Sequence, residues 1–236
     1  MSIVRLMGML LSAAAATGLT GCATGLHTDA PAGANLAGAW KLDPGASDDP
    51  QKVLAQMRTE AAKIIARGAQ PPPPPLPAHG VAPRDTRPQE EPYDDSAVAA
   101  VGPGGHRPDP LQRSPMAHII QAAVGRGDFL TVRQGPGEFV LDYGTSRRSF
   151  TPGAHSVVSA EGGVADQTSG WKGREYVIEI NAQLGPEVTE AYGLSADGKH
   201  LVEKLHISGG ELPAVTLTRV YAPTTEIAPR QLPTDD

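Results

Sequence analysis

The sequence predicts a mainly β fold, an antiparallel meander, with one N-terminal amphipathic helix and a disordered proline-rich segment ahead of the sheet. Three observations carry this. Between His118 and Tyr221, short segments of alternating polar and apolar residues recur at strand-length spacing, parted by glycine turns. Between Gln70 and Pro115 stand thirteen prolines, which remove amide donors and fix φ, and so exclude a helix or a sheet interior. Aromatic residues make up only 4% of the chain against 27 glycines and 23 prolines, which implies a modest core and much irregular structure.

Taken in order, the chain opens with Arg5 and an alanine-rich apolar run from Leu6 to Thr17. A bilayer span needs ~20 apolar residues, so this run reads as a cleavable secretion signal over residues 1–21. Leu19-Thr20-Gly21-Cys22 follows, carrying the only cysteine of the chain. These four residues resemble the lipobox of bacterial lipoprotein precursors. The resemblance implies cleavage before Cys22, acylation of Cys22 with several palmitate-like chains, and a membrane anchor at the mature N-terminus. Ala23 stands where an aspartate would favour inner-membrane retention. In a Gram-negative host the expected location is therefore the outer membrane, facing the periplasm. With Cys22 acylated, no disulfide can form, and stability must come from an apolar core.

Residues 22–35 are small and polar and read as a tether. Residues 36–43, around Gly38-Ala39-Trp40-Lys41-Leu42, form a first strand stopped by Asp43-Pro44-Gly45. Ser47-Asp48-Asp49-Pro50 offers helix caps and a first-turn proline. Leu54, Met57, Ala61, Ile64 and Ile65 recur at helical spacing, giving an amphipathic helix within residues 47–68 that Gly68 closes. Residues 70–115 are expected to be disordered, with polyproline II character near Pro71 to Pro77. Residues 118–222 form the β domain, and residues 223–236 a disordered tail.

Four turns set the β register. Gly135-Pro136-Gly137 parts Phe129–Val132 from Phe139–Leu141. Trp171-Lys172-Gly173 and Gln183-Leu184-Gly185 place glycine last in three-residue loops, and Asp197-Gly198 is a type I′ signal. Centring the last two turns pairs Ile180 with Val188, Tyr176 with Tyr192, Leu194 with Leu201, and Tyr192 with Glu203. Closing the next hairpin through Gly209 to Pro213 pairs Leu205 with Leu217 and Glu203 with Arg219. Because the strand period is two, Tyr176, Ile178, Ile180, Val188, Tyr192, Leu194, Leu201, Leu205, Ile207, Val215, Leu217 and Tyr221 share one buried face.

Glu190, Glu203 and Arg219 fall on that same face, and centring the Trp171-Lys172-Gly173 loop adds Asp166 opposite Ile178. A buried unpaired charge costs several kcal/mol, so a Glu203–Arg219 pair is the minimum requirement. Two readings stay open. In one, a polar cluster inside an apolar cavity orients a ligand's head group. In the other, a salt bridge closes one end of the barrel, with the other acids at a wet rim.

Gly38-Ala39-Trp40 on the first strand together with Arg219 on the last resembles the lipocalin signature. There the tryptophan of a GxW motif packs beneath an arginine of the final strand. The Leu194–Leu201 turn and Arg219-Val220-Tyr221 also look like those of small lipocalin-like bacterial proteins. The resemblance implies a lipocalin-like barrel, a Trp40–Arg219 contact and a cavity for a small apolar molecule. It departs from the pattern where a helix and the proline-rich stretch separate the first strand from the rest.

Other chemistry is hard to find. The net charge of −6 and the absence of a basic patch speak against nucleic acid as a partner. The seven histidines show no i, i+2 or i, i+4 pairing for a metal, and no GxSxG elbow presents a serine. Glu190 and Glu203 could serve acid–base chemistry, but an arginine beside Glu203 keeps it ionised, which suits binding better. No cofactor and no enzymatic activity are expected. The leading expectation is a lipid-anchored envelope module that binds a small apolar or amphipathic molecule. Tyr176, Tyr192, Leu205 and Leu217 would line its cavity, with Glu203 and Arg219 setting polarity at one end. The alternative is a structural or assembly lipoprotein that docks an envelope protein partner, favoured if large side chains fill the barrel.

Overall fold

The computed structural model describes residues 25–68, 108–161 and 163–226. The expected signal segment, Cys22 and most of the proline-rich stretch lie outside the described residues. In chain order the elements are β1 (Gly38–Leu42), α1 (Pro50–Gly68), α2 (Pro115–Gly125), β2 (Phe129–Gly135), β3 (Glu138–Asp142), β4 (Arg147–Phe150), β5 (His155–Ala160), β6 (Gly163–Lys172), β7 (Glu175–Ala182), β8 (Glu187–Leu194), β9 (Leu201–Ser208) and β10 (Val215–Pro223). The fold is mainly β, as the sequence predicts, with a second helix beyond the one expected.

All ten strands form one antiparallel sheet in the order β4-β3-β2-β1-β10-β9-β8-β7-β6-β5. A ten-stranded twisted sheet curls on itself, and here the curl is directly visible in side-chain contacts. Phe139 on β3 stacks on Tyr176 of β7 with ring centroids 3.7 Å apart, although five strands lie between them in the sheet order. The two edge strands β4 and β5 are not paired to each other, so the barrel stays open along one seam.

The registers of β7 to β10 agree with the expected pairs. Tyr176 faces Tyr192, Ile180 faces Val188, Leu194 faces Leu201, Glu203 faces Arg219 and Leu205 faces Leu217. The Asp197-Gly198 turn reaches this register differently. The Gly198 amide donates to Ser195 O at 2.8 Å, so the β-turn spans Ser195–Gly198 inside a longer loop rather than the expected two-residue turn. The parity of the pairing is unchanged, because the loop grows by an even number of residues.

The β6–β7 hairpin corrects the expected register. Its turn is Gly173-Arg174, with Gly173 at φ +58°, and Trp171 pairs with Tyr176. The odd shift moves Ser169 and Trp171 inward and turns Asp166 out to solvent, opposite Asn181. Asp166 therefore does not join the inner charges.

β1 lies in the middle of the sheet between β2 and β10, with Trp40 opposite Leu130 on one side and Pro223 on the other. The Trp40–Arg219 contact implied by the lipocalin likeness does not form. Trp40 stands four residues along β10 from Arg219, ~13 Å at strand rise. Its indole N–H donates instead to Leu36 O at 3.1 Å.

The core has two halves. At one end, here the aromatic end, Trp40, Phe139, Phe150, Trp171, Tyr176 and Tyr221 pack with Leu36 and Leu130. At the opposite, helical end, α1 and α2 cover Leu205, Ile207 and Leu217 through Leu54, Met57, Met116 and Ile120. Asp49 caps α1, accepting from the Gln51 amide at 2.9 Å. Ile64 and Ile65, expected on the buried stripe, are 43% and 61% exposed, because α1 runs past the edge of its partner after Ala61.

Three segments expected to be tether or disordered chain are packed where they are described, among them the start of the expected tail, where Pro223 pairs with Trp40 and the Thr224 amide donates to Ala39 O at 2.9 Å. Residues 25–36 lie across the aromatic end, with Ala34 and Leu36 buried and His27 bridging Trp171 through two 2.8 Å backbone hydrogen bonds. From Pro108 onward the chain is also fixed. Leu111 is buried, Arg58 Nε pairs with Asp109 at 3.0 Å, and the Ser114 hydroxyl caps α2 by accepting from Ala117 N–H at 3.1 Å.

Candidate ligand-binding site

Between the two core halves the sheet carries the charged residues of its inner face. Glu190 on β8 and Glu203 on β9 are 1% and 0% exposed, and Arg219 on β10 is 4% exposed. Glu190 is thus a core group, not part of a wet rim. Neither carboxylate relies mainly on Arg219. The Arg219 Nη1 and Glu203 Oε2 atoms stand 3.8 Å apart, while Arg219 donates to Ala123 O at 2.9 Å and Gly127 O at 2.6 Å. Those carbonyls close the C-terminus of α2, where a cation also meets the negative end of the helix dipole. Arg219 therefore ties α2 to the sheet.

Two arginines that the sequence reading did not single out neutralise the acids. Arg126, at the C-cap of α2, donates to Glu190 Oε1 at 2.8 Å and to Glu203 Oε1 at 3.3 Å. Arg148, on edge strand β4, donates to Glu190 Oε2 at 2.6 Å. Tyrosines complete the network. Tyr221 donates to Glu203 Oε2 at 2.8 Å, and Tyr192 donates to Glu190 Oε2 at 2.8 Å while lying 3.1 Å from Glu203 Oε1. The Tyr143 hydroxyl is 3.0 Å from that of Tyr192. Among the described residues no buried side-chain polar atom lacks a partner, which is the condition under which such a cluster is tolerated.

The charges respond to this setting. Burial alone would raise the Glu190 carboxyl, but Arg148 and then Arg126 hold it down at about 2. Arg126 rises above its ordinary value because, against its own burial, Glu190 favours the cation. Burial first, and then Glu203, push Tyr143 up to about 12. Tyr192 is raised by burial and by Glu190 and Glu203. The site is an ionised carboxylate among cations and neutral phenols, with no carboxylic proton on Glu190 to donate near neutral pH.

One side of the cluster faces a cavity of about 490 Å³. Its floor holds Arg126, Arg148 and Glu190, and its walls are Ile119 and Ala122 of α2, Phe150 of β4, Val158 of β5, Ile180 of β7 and Val188 of β8. The cavity lies in the open seam between β4 and β5, beneath α2. Ser159, Ala160, Glu161 and Pro186 line it toward the helical end. Its size, and a lining that sets these apolar walls beside Arg126, Arg148, Ser149, Ser159, Glu161, Gln167 and Glu190, suit a small molecule of mixed polarity.

The six residues expected to bind a ligand lie elsewhere. Tyr176 is in the aromatic stack, its hydroxyl donating to Ser169 at 2.9 Å. Leu205 and Leu217 are buried beneath the helices. Tyr192, Glu203 and Arg219 belong to the charge network behind the cavity floor. Of the inward charges read from the sequence, only Glu190 lines the cavity. Arg148 leaves a trace in the sequence as a charge two residues before Phe150 on a short strand. Arg126 leaves none, because its role depends on where α2 ends.

Among the described residues no helix is long and apolar enough to cross a membrane, and no cluster of side chains could hold a metal ion. No protein-family model and no curated protein matches the chain. Similar solved structures include the apo lipid binding protein 8 of Caenorhabditis elegans, 10% identical with a TM-score of 0.40 over 80% of this chain and 94% of that one. Another is REP1-NXSQ fatty acid transporter, 13% identical, TM-score 0.39, over 81% and 98% of the two chains. A third is a secretory abundant heat soluble protein of Ramazzottius varieornatus, 13% identical, TM-score 0.32, over 41% and 70%.

Proposed function

We propose that this protein is a lipid-anchored module of the cell envelope that binds a small amphipathic molecule in the cavity between β4 and β5. The observation that carries the proposal is the cavity of about 490 Å³ with apolar walls and guanidinium groups at its floor. A guanidinium has five N–H donors. Among the described residues Arg148 gives one to Glu190, and Arg126 gives two to Glu190 and Glu203. Glu190, by contrast, already accepts from Arg126, Arg148 and Tyr192. Donors are in surplus at the floor, so the matching head group is an acceptor, and Ile119, Phe150, Ile180 and Val188 receive the apolar body. The role is binding rather than catalysis, since Glu190, the acid at the floor, is already held by two guanidinium groups and a phenol. The lipobox Leu19-Thr20-Gly21-Cys22 supports the anchor, and Ala23 supports the outer membrane of a Gram-negative host, with the domain in the periplasm.

Native mass spectrometry of a Cys22→Ser chain purified from the periplasm tests the binding role. A stoichiometric small molecule, lost in Ala122→Trp, is the expected result. Ala122 is exposed on α2 at the cavity wall, so a bulky residue there fills the cavity without disturbing the core. An apo mass that a periplasmic lipid extract does not change would refute the reading.

The docking alternative is favoured by the exposed Ile64 and Ile65 beside a groove lined by Ala61, Pro110 and Leu212. Ile65→Asp would remove an envelope protein from pull-downs under that reading, and leave the small molecule bound under the first.

A further inference from the structure

Resting on the reading of Cys22 as the anchor, we infer that the aromatic end of the barrel faces the lipid surface and the helical end, toward which most of the cavity lining lies, points away from it.

The argument begins with the length of the link. Only Ala23 and Thr24 stand between Cys22 and Gly25, the first described residue. Three Cα steps of ~3.8 Å reach at most ~11 Å. A longer tether, as the small polar residues 22–35 suggest, would leave the domain free to tumble. Residues 25–36 are instead fastened to the aromatic end. His27 and Trp171 exchange backbone hydrogen bonds of 2.8 Å. The Gln134 side chain donates to Ala34 O at 2.9 Å and accepts from the Leu36 amide at 3.0 Å, and Arg174 donates to Gly33 O at 2.9 Å. Leu36, 1% exposed, seals the segment into the core.

The direction follows from the topology. Antiparallel pairing places the Pro136-Gly137 and Gly173-Arg174 turns and the Ser195–His200 loop at the same end as His27. The residues that follow Ala160, Ala182 and Ser208 lie at the other end with α1 and α2. The cavity runs along the seam from Phe150, in the aromatic half, to Val158–Glu161, Pro186 and α2, so most of its lining lies toward the helical end. Nine residues of β10 at ~3.3 Å each separate the two ends by ~27 Å, more than twice the reach of the link. Gly68 and Asp109, which flank the proline-rich segment, also belong to the helical part, with Asp109 paired to Arg58 of α1. The lipid surface thus lies at the aromatic end, and the helical end, with most of the cavity lining, faces away from it.

The test uses the full acylated chain in vesicles of phosphatidylcholine and phosphatidylglycerol that contain a nitroxide-headgroup lipid as quencher. Acylation occupies the thiol of Cys22, so one added cysteine takes one fluorophore. Lys199→Cys labels the aromatic end and Gln183→Cys the helical end, both at exposed loop positions. The expected result is loss of most fluorescence at position 199 and little loss at 183. Equal or reversed quenching would overturn the orientation. Inserting about 20 Gly/Ser residues after Thr24, a coil of ~25 Å, is expected to abolish the difference between the two labels. If the difference survives the insertion, the short link does not set the orientation and the inference fails. The intact mass of the same preparation reports separately on the anchor. An unacylated Cys22 would refute the anchor itself, whereas an acylated chain with equal quenching refutes only the orientation.

Discussion

Arg148 Nη1 meets Glu190 Oε2 at 2.6 Å and so joins edge strand β4 to β8 across the mouth of the curled sheet. No backbone hydrogen bond links β4 to β5 at the open seam. This ion pair therefore helps to hold the seam to one width, and the cavity takes its floor from it.

The pair makes stability fall in acid. The Glu190 carboxyl is held at about 2 against an ordinary 4.5: burial opposes this, and Arg148 and Arg126 outweigh it. A depressed carboxyl contributes stability that is complete above the unfolded value and lost as pH falls toward the folded one. Denaturant titrations between pH 5 and pH 2 are expected to show a loss on the order of 3 kcal/mol in the parent chain. Glu190→Gln should start less stable and show a clearly flatter pH profile; an identical profile would mean that the pair carries no weight.

At alkaline pH the phenols take over. Burial, the leading cause in each case, pushes Tyr143 and Tyr176 up to about 12 and raises Tyr192 and Tyr221 as well. For an acid whose folded value is raised, stability is full below the unfolded value of ~10 and is lost as pH climbs past it toward the folded value. Ultraviolet titration of phenolate should show at most one of the five tyrosines ionising before the fold is lost. Ionisation of several while the circular dichroism stays native would contradict the network.

Tyr192→Phe isolates the hydroxyl that sits between the two carboxylates. Removing it deprives Glu190 of a donor inside the core, which costs about 1–3 kcal/mol. Thermal melting at neutral pH should register the loss, and Tyr143→Phe, one step further out, should cost less.

Gly170→Ala probes the packing of the N-terminal segment. A Cβ at Gly170 would stand 2.7 Å from His27 O, a backbone atom that can yield only by leaving β6. Limited proteolysis is expected to cut within residues 25–31 in the variant and to spare them in the parent. Equal protection in both would show that the segment accommodates the methyl group in place.

Phe139→Ala tests the curl of the sheet. Its ring stacks on Tyr176 at 3.7 Å and meets Trp171 edge-on at 5.9 Å, so truncation opens a cavity where β3 faces β6 and β7. A loss of about 3–5 kcal/mol in denaturant unfolding is the expected cost.

The sequence by itself determined the strands β7 to β10, their registers and their buried face. A two-residue period and short turns leave little choice of pairing once a turn is centred, as Tyr176–Tyr192 and Glu203–Arg219 show. It determined that Glu190 and Glu203 point inward, and α1 through its helical spacing. Where a turn was mis-centred by an odd step, at Gly173-Arg174, the same rule carried Asp166 to the wrong face. The second helix was within reach of the sequence through Ser114-Pro115, but an apolar run such as Met116 to Val124 fits a strand as readily as a helix without its partners. Only the tertiary structure decided which cations meet the buried acids. Arg126 and Arg148 lie 64 and 42 residues from Glu190, and nothing local encodes a contact made by the curl of a sheet and the end of a helix. The same holds for the open seam between β4 and β5, where the unpaired edges leave room for a ligand.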